Sequence, residues 1–335
     1  MRKSAHTNLP ALLLLTLSML SAWIRAEAAP EQVRLGAYIE HLSEFDVSKD
    51  TFHADYWIWT LVPKNAEKLL GNLDFTNAKE LKSTAKSVTP EQGMSWIQEK
   101  LSGTFHYDWD LTNFPFDRHK LVIEIESDKD LQEILLIPDK ENSAVSPHIT
   151  VDGWKITGFG LHQGTEEYDC NFGDPKLPHG SKSLYSQVEV EIDIARRDYT
   201  LFWKLTVAAF AAMFLGLVSY FLHVENASVM SPRFSIIAGA LFAIVVSMKA
   251  ATNDLGAAST VTLVDKIHFV ALGYILVAAI VATAGRVLFD KGMASEKIAR
   301  LSVWCAVVST ILLGVILYSL IHSAIMIGTS LPLAF

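Results

Sequence analysis

Four apolar stretches in the second half of the chain, near 201–222, 234–252, 267–288 and 298–321, constrain its fold more than any other feature. About 20 helical residues rising 1.5 Å each cross a hydrocarbon core roughly 30 Å thick, so each stretch is long enough to span a membrane. In lipid every backbone polar group must be satisfied internally, which makes such long runs helices. Composition agrees: 19% of the 335 residues are charged and 50% hydrophobic, whereas soluble domains carry roughly 25% charge. A further apolar run, Leu9 to Ile24, follows Arg2 and Lys3 and precedes the small residues around Ala26 and Ala28. This is the pattern of a secretory signal peptide over residues 1–28, which exports the segment behind it. Arg233, Arg286, Lys291, Lys297 and Arg300 lie at one set of helix ends and Lys266 alone at the other. The positive-inside rule gives the first set to the cytoplasm and leaves residues 29–198 outside.

The exported segment reads as short strands: 33–40, 51–60, 100–109, 119–126, 133–137, 154–162 and 184–194. Alternation is plainest in Val188-Glu-Val-Glu-Ile-Asp-Ile194 and in Leu121-Val-Ile-Glu-Ile-Glu126, where every second side chain meets a core. Strands at this spacing, divided by Gly, Pro, Asn and Asp, predict a sandwich or barrel. Only Pro90 to Leu101 has helical character. Residues 29–198 hold 30 acidic and 17 basic residues against 5 and 8 in 199–335, a balance that argues against nucleic acid as a partner. The two cysteines, Cys170 and Cys305, fall on opposite sides of the chain's division and predict no intrachain disulfide. No nucleophile motif, phosphate-binding glycine loop or metal spacing of His and Cys is present, so no enzyme activity or cofactor is expected, and modulation of the acidic segment by calcium or protons is not legible.

The most informative segment is Tyr107-Asp-Trp-Asp-Leu-Thr-Asn-Phe-Pro-Phe-Asp-Arg-His-Lys-Leu121. A proline flanked by aromatics and followed by an acid sits in a tight connection between strands, where Pro115 fixes a turn with cis as one accessible isomer. In this setting Pro115, Phe116 and Asp117 resemble the signature loop of the pentameric ligand-gated ion channels, the Cys-loop family. Tyr107 and Leu121 stand where animal members carry the two bridging cysteines, and prokaryotic members lack them too. The resemblance extends over nearly the whole chain after residue 28. It implies an all-β immunoglobulin-like sandwich over 29–198 and an all-α four-helix pore domain over 199–335. It also implies a homopentamer in the bacterial inner membrane with its N-terminal domain in the periplasm. Arg196 and Arg197 resemble the basic segment that couples sandwich to pore; by position Arg197 pairs with Asp117, and Arg196 also suits an anchor among lipid headgroups. Phe45 to Asp50, with Asp46 and Asp50, resembles the hairpin loop that in the family presses on the linker between the second and third helices. By order along the chain, Trp59, Tyr168 and Tyr185 take the places of ligand-binding aromatics, whose ring faces suit a cation; core packing explains the same residues. The agonist, a small molecule or an ion, is not legible.

The second apolar stretch differs from its neighbours. Starting at Ser231-Pro-Arg-Phe234 with proline in the permitted first turn, steps of four and three select Ser235, Gly239, Phe242, Val246, Lys249 and Asn253. The resemblance makes this stripe the lining of a path for inorganic ions, with Phe242 and Val246 as an apolar constriction. A helix-packing face is the competing reading, because small residues favour close contact. Arg233 and Asp254 fall at the two mouths. Pro232-Arg233 resembles the start of the pore helix in anion-selective members, and with Lys249 it predicts a preference for anions. The first helix departs from the family in having no proline between Thr200 and Leu222. A non-conducting receptor with the same sensing sandwich is the alternative.

Overall fold

The computed structural model describes residues 29–64, 73–175, 178–197, 199–222, 227–255 and 260–330, and in 227–230, 252–255 and 327–330 it describes backbone only. The expected signal peptide, 1–28, lies outside the described residues. The first part is strand-rich: β1 (Glu31–Asp46), β2 (Thr51–Pro63), β3 (Leu73–Phe75), β4 (Ala78–Glu91), β5 (Met94–His106), β6 (Arg118–Asp130), β7 (Ile134–Pro138), β8 (Ala144–Val145), β9 (Trp154–Tyr168) and β10 (Ser183–Arg196). One sheet runs β4-β5-β2-β1-β7 with β8 beside β1, and the other runs β3-β6-β10-β9. Pairing is antiparallel except where β7 and β8 lie parallel to β1. The alternation foreseen in the sequence fills the space between the sheets: Phe52, Ala54, Tyr56 and Ile58 of β2 and Val188, Val190, Ile192 and Ile194 of β10 share one buried apolar cluster.

Residues 90–101, expected to have helical character, form the end of β4, a tight turn and the start of β5. Gln92 (φ 45°) and Gly93 (φ 84°) close the turn between the paired residues Glu91 and Met94, and two consecutive positive φ values suit the twist of a two-residue hairpin. The strand was hard to recognise because β4 is an edge strand exposed along nearly its whole length. With no face to bury, it needs no alternation. Its Lys79, Lys82, Lys86 and Pro90 are the residues that discourage pairing at a free edge.

Four helices follow: α1 (Thr200–Tyr220), α2 (Ala227–Leu255), α3 (Leu263–Asp290) and α4 (Ser295–Ser330). All four are long and apolar enough to cross a membrane. The second starts a turn earlier than the sequence suggested, so that Pro232 lies inside it rather than at its head; lacking an N–H, the ring leaves the Ser228 carbonyl without its helical donor. A capping box starts α3: the Thr262 hydroxyl accepts from Asp265 N at 3.1 Å, and the Asp265 carboxylate accepts from Thr262 N at 3.0 Å. Gly216 lets α1 approach Ile275 of α3 so closely that a Cβ there would collide with it, the small-residue contact that replaces hydrophobic drive in lipid. The core of the strand-rich part continues into the helices through Leu205 of α1, Ala251 of α2 and Val264 of α3.

Candidate functional site at the domain junction and along the second helix

The loop between β5 and β6 carries the polar centre of the junction. Pro115 follows a cis peptide bond, and the turn aims two neighbours in opposite directions. Phe116 points at the helices, with ring centroids 5.1 Å from Tyr199 and 5.4 Å from Phe202. Asp117 points inward and is 3% exposed. Its Oδ1 accepts from Arg196 Nε at 2.8 Å and its Oδ2 from His119 Nε2 at 2.8 Å. Burial alone pushes this carboxyl up, but the His119 N–H and the Arg196 charge more than offset it and hold it below the usual carboxylate range. The Arg196 guanidinium lies over two rings, 4.3 Å from the centroid of Trp154 and 4.6 Å from that of Phe114. Arg197, expected to be the partner of Asp117, is exposed, and its backbone N–H donates to Gly153. Period two explains the exchange: Arg196 shares the inward parity of Ile192 and Ile194, and Arg197 has the outward one.

In the β1–β2 hairpin, Asp46 Oδ1 accepts from Ser48 N at 3.0 Å and Lys49 N at 3.1 Å, and Lys49 Nζ reaches Oδ2 at 2.8 Å. The Lys49 and Ser48 hydrogen bonds lower the Asp46 carboxyl to about 2. Asp50 closes the hairpin in the left-handed region at φ 53°. Residues 256–259, where the family pattern would place the contact of this loop, lie outside the described residues.

Tyr168 of β9 and Tyr185 of β10 come together with centroids 5.7 Å apart, and Phe172 completes a trio at 5.1 Å and 6.0 Å from them. Beneath the trio the Tyr168 hydroxyl donates to Glu126 Oε2 at 3.2 Å. Glu126 is 6% exposed, and burial, assisted by Asp74, Glu166 and Glu124, raises its carboxyl above the ordinary value. The sequence did not single out Glu126 or Phe172. Alternation along β6 puts Glu126 outside, as the structure does; the signal it lacks is the cover that Tyr168 provides across the sheet. Trp59 stands apart from this trio on the other sheet. It lies against Gly36, donates through Nε1 to Asp139 Oδ2 at 3.1 Å, and lines a cavity of about 530 Å³ with Arg34, Trp96 and Asn142.

Along α2 the side chains divide into two faces. Ile237, Ala240, Ile244 and Ala251 are buried against the other helices. Ser235, Gly239, Phe242, Val246 and Lys249 are all exposed, Phe242 at 72%. The stripe is therefore not a packing face within the chain. The side chains of Asn253 and Asp254 lie outside the described residues. Arg233, expected at the inner mouth, is instead fully buried, donating from Nη1 to the Leu222 carbonyl at 3.3 Å, while Nε and Nη2 have no partner among the described residues. A polar link ties three helices together behind the stripe. His268 of α3 contacts Val264 O at 2.7 Å and Ser247 Oγ of α2 at 3.0 Å, and Ser247 Oγ reaches Leu205 O of α1 at 3.3 Å.

Among the described residues no three His, Cys, Asp or Glu side chains gather as a metal site requires. Compared with known proteins, the chain matches no family model and no curated protein.

Proposed function

We propose that this chain is one subunit of a homopentameric ligand-gated ion channel of the prokaryotic inner membrane, with an immunoglobulin-like sandwich in the periplasm. The observation that carries the reading is the exposed stripe of α2, five residues from Ser235 to Lys249 on the face turned away from the other helices. Fivefold repetition turns each into a ring around an axial path, and the Phe242 ring is its apolar narrowing. The loop of Pro115 to Asp117 supports the same reading, because it joins the ligand-sensing sandwich to the first helix through Phe116.

The trio of Tyr168, Tyr185 and Phe172 over Glu126 suits an organic ammonium ion, whose charge is attracted by ring faces and by a carboxylate. A neighbouring subunit would bring its Trp59 face to the open side of this trio. An agonist opens such a channel by binding the open state better than the closed one. The test is ion efflux from liposomes holding the purified protein, assayed against a panel of primary and quaternary ammonium ions. Efflux evoked by a member of the panel in wild type and lost in Glu126→Gln supports the reading. Binding of an ammonium ion without efflux would point to a non-conducting receptor.

A further inference from the structure

The loop between β5 and β6 is closed by no disulfide, since Cys170 and Cys305 are both free and lie elsewhere. Yet it must hold a buried carboxylate against a half-buried guanidinium. Hydrogen accounting around His119 shows how. An ionised carboxylate only accepts, so His119 Nε2 carries a proton and donates it to Asp117 Oδ2 at 2.8 Å. In the neutral ring Nδ1 then accepts, and the Tyr107 hydroxyl lies 3.4 Å away to donate. Three rings wall the imidazole edge-on, with centroids at 4.9 Å for Trp109, 5.4 Å for Trp154 and 5.8 Å for Tyr107, and His119 is only 3% exposed. The ring has one orientation, and it gives Asp117 one donor per oxygen: His119 on Oδ2, Arg196 on Oδ1.

We propose that His119, oriented by Tyr107, is a positioning residue that keeps Asp117 ionised and aimed at Arg196, so that a hydrogen-bonded chain from Tyr107 at the start of the loop to β10 closes the loop in place of a covalent bridge. The lowered carboxyl of Asp117 accords with this, since the His119 hydrogen bond is the largest influence set against burial. The chain stands on these contacts alone; only its consequence for gating rests on the channel reading.

The test is acid titration of the full chain in lipid nanodiscs, followed by tryptophan emission, because Trp109 and Trp154 adjoin the imidazole. Asp117 contributes stability at pH values above its ordinary 3.8 and loses it below, as the pH falls through the lowered folded value. Tyr107 and Asp110 on the loop also face the carboxylate, as do Arg196 on β10 and His119 on β6. The imidazole donates through Nε2 whether or not Nδ1 is protonated, and a positive charge on the ring adds to the lowering of the carboxyl. His119→Leu should move the acid transition upward by about one pH unit or more, the scale on which a hydrogen bond to the charged form shifts a carboxyl. His119→Gln, whose amide N–H stands where Nε2–H stands, should restore the part of the shift that the hydrogen bond carries and so fall between His119→Leu and wild type. Tyr107→Phe, which deletes one hydroxyl and is expected to fold, should shift the transition in the same direction by less. Equal shifts in the Leu and Gln variants, or no shift in Tyr107→Phe, would overturn the proposal, and the second result decides the matter if His119→Leu does not fold. None of these readouts needs a conducting pore. A shift without conductance would count against the channel alone, and normal conductance without a shift would count against the brace alone.

Discussion

Glu126 lies on the outward face of β6, yet Tyr168 covers it to 6% exposure, and that cover sets its response to pH. Burial raises its carboxyl above 4.5, so the folded chain favours the protonated acid, and ionising it costs stability as the pH rises from 4.5 through the folded value. An ammonium ion needs the ionised form. Its affinity should therefore climb as the pH rises through a value above 4.5, and calorimetric titration at several pH values measures this. Glu126→Gln should weaken binding by about 10- to 100-fold, from loss of a charged hydrogen bond of ~1.5–3 kcal/mol, and should flatten the pH dependence. A wild-type affinity indifferent to pH between 4 and 8 would remove Glu126 from the site. At this scale the sequence was only partly legible. The period of β10 already pointed Arg196 inward, a clue that alignment by position passed over in favour of Arg197. Glu126 and His119 gain their roles from Tyr168 and Tyr107, on other strands, and no local pattern announces such partners.

Among the elements, the exposed run of α2 through Ser235, Gly239, Phe242, Val246 and Lys249 was legible in the spacing. The helix start was not, because Pro232 was taken as a first-turn residue and the helix runs one turn further back. The burial of Arg233 changes the argument on selectivity: a guanidinium packed behind the helix contributes little to the field along a central path. Lys249, exposed toward the outer end, is left as the cationic residue of the stripe. Replacing a buried ion by an apolar residue of similar volume is often neutral or stabilising. Arg233→Met should therefore assemble normally and leave reversal potentials under a salt gradient unchanged, whereas Lys249→Glu should shift them toward the cation equilibrium potential. A shift with Arg233→Met would return that residue to the path. The apolar ring at Phe242 resists wetting, so Phe242→Ser should raise ion leak without ligand by roughly tenfold or more, if the dry ring accounts for at least ~1.4 kcal/mol of the closed-state barrier. Unstable subunits without leak would mean that Phe242 packs against a neighbour instead. The edge strand β4 shows the limit of pattern reading: a strand with no face to bury carries no alternation to detect.

For the molecule as a whole, the division into a strand-rich part and four apolar helices was legible because it rests on coarse quantities, run length and charge asymmetry. The joint between the parts was legible only through the resemblance of the Pro115 loop, whose geometry depends on side chains from three strands and one helix. In the proposed channel the junction lies within one chain, but the path for ions would exist only in an assembly. Single-channel recording from the purified protein in a planar bilayer tests that claim most directly. Discrete current steps, gated by an ammonium ligand and converted to a standing leak by Phe242→Ser, are the predicted result. A folded, ligand-binding protein that stays silent in wild type and in Phe242→Ser alike would contradict it.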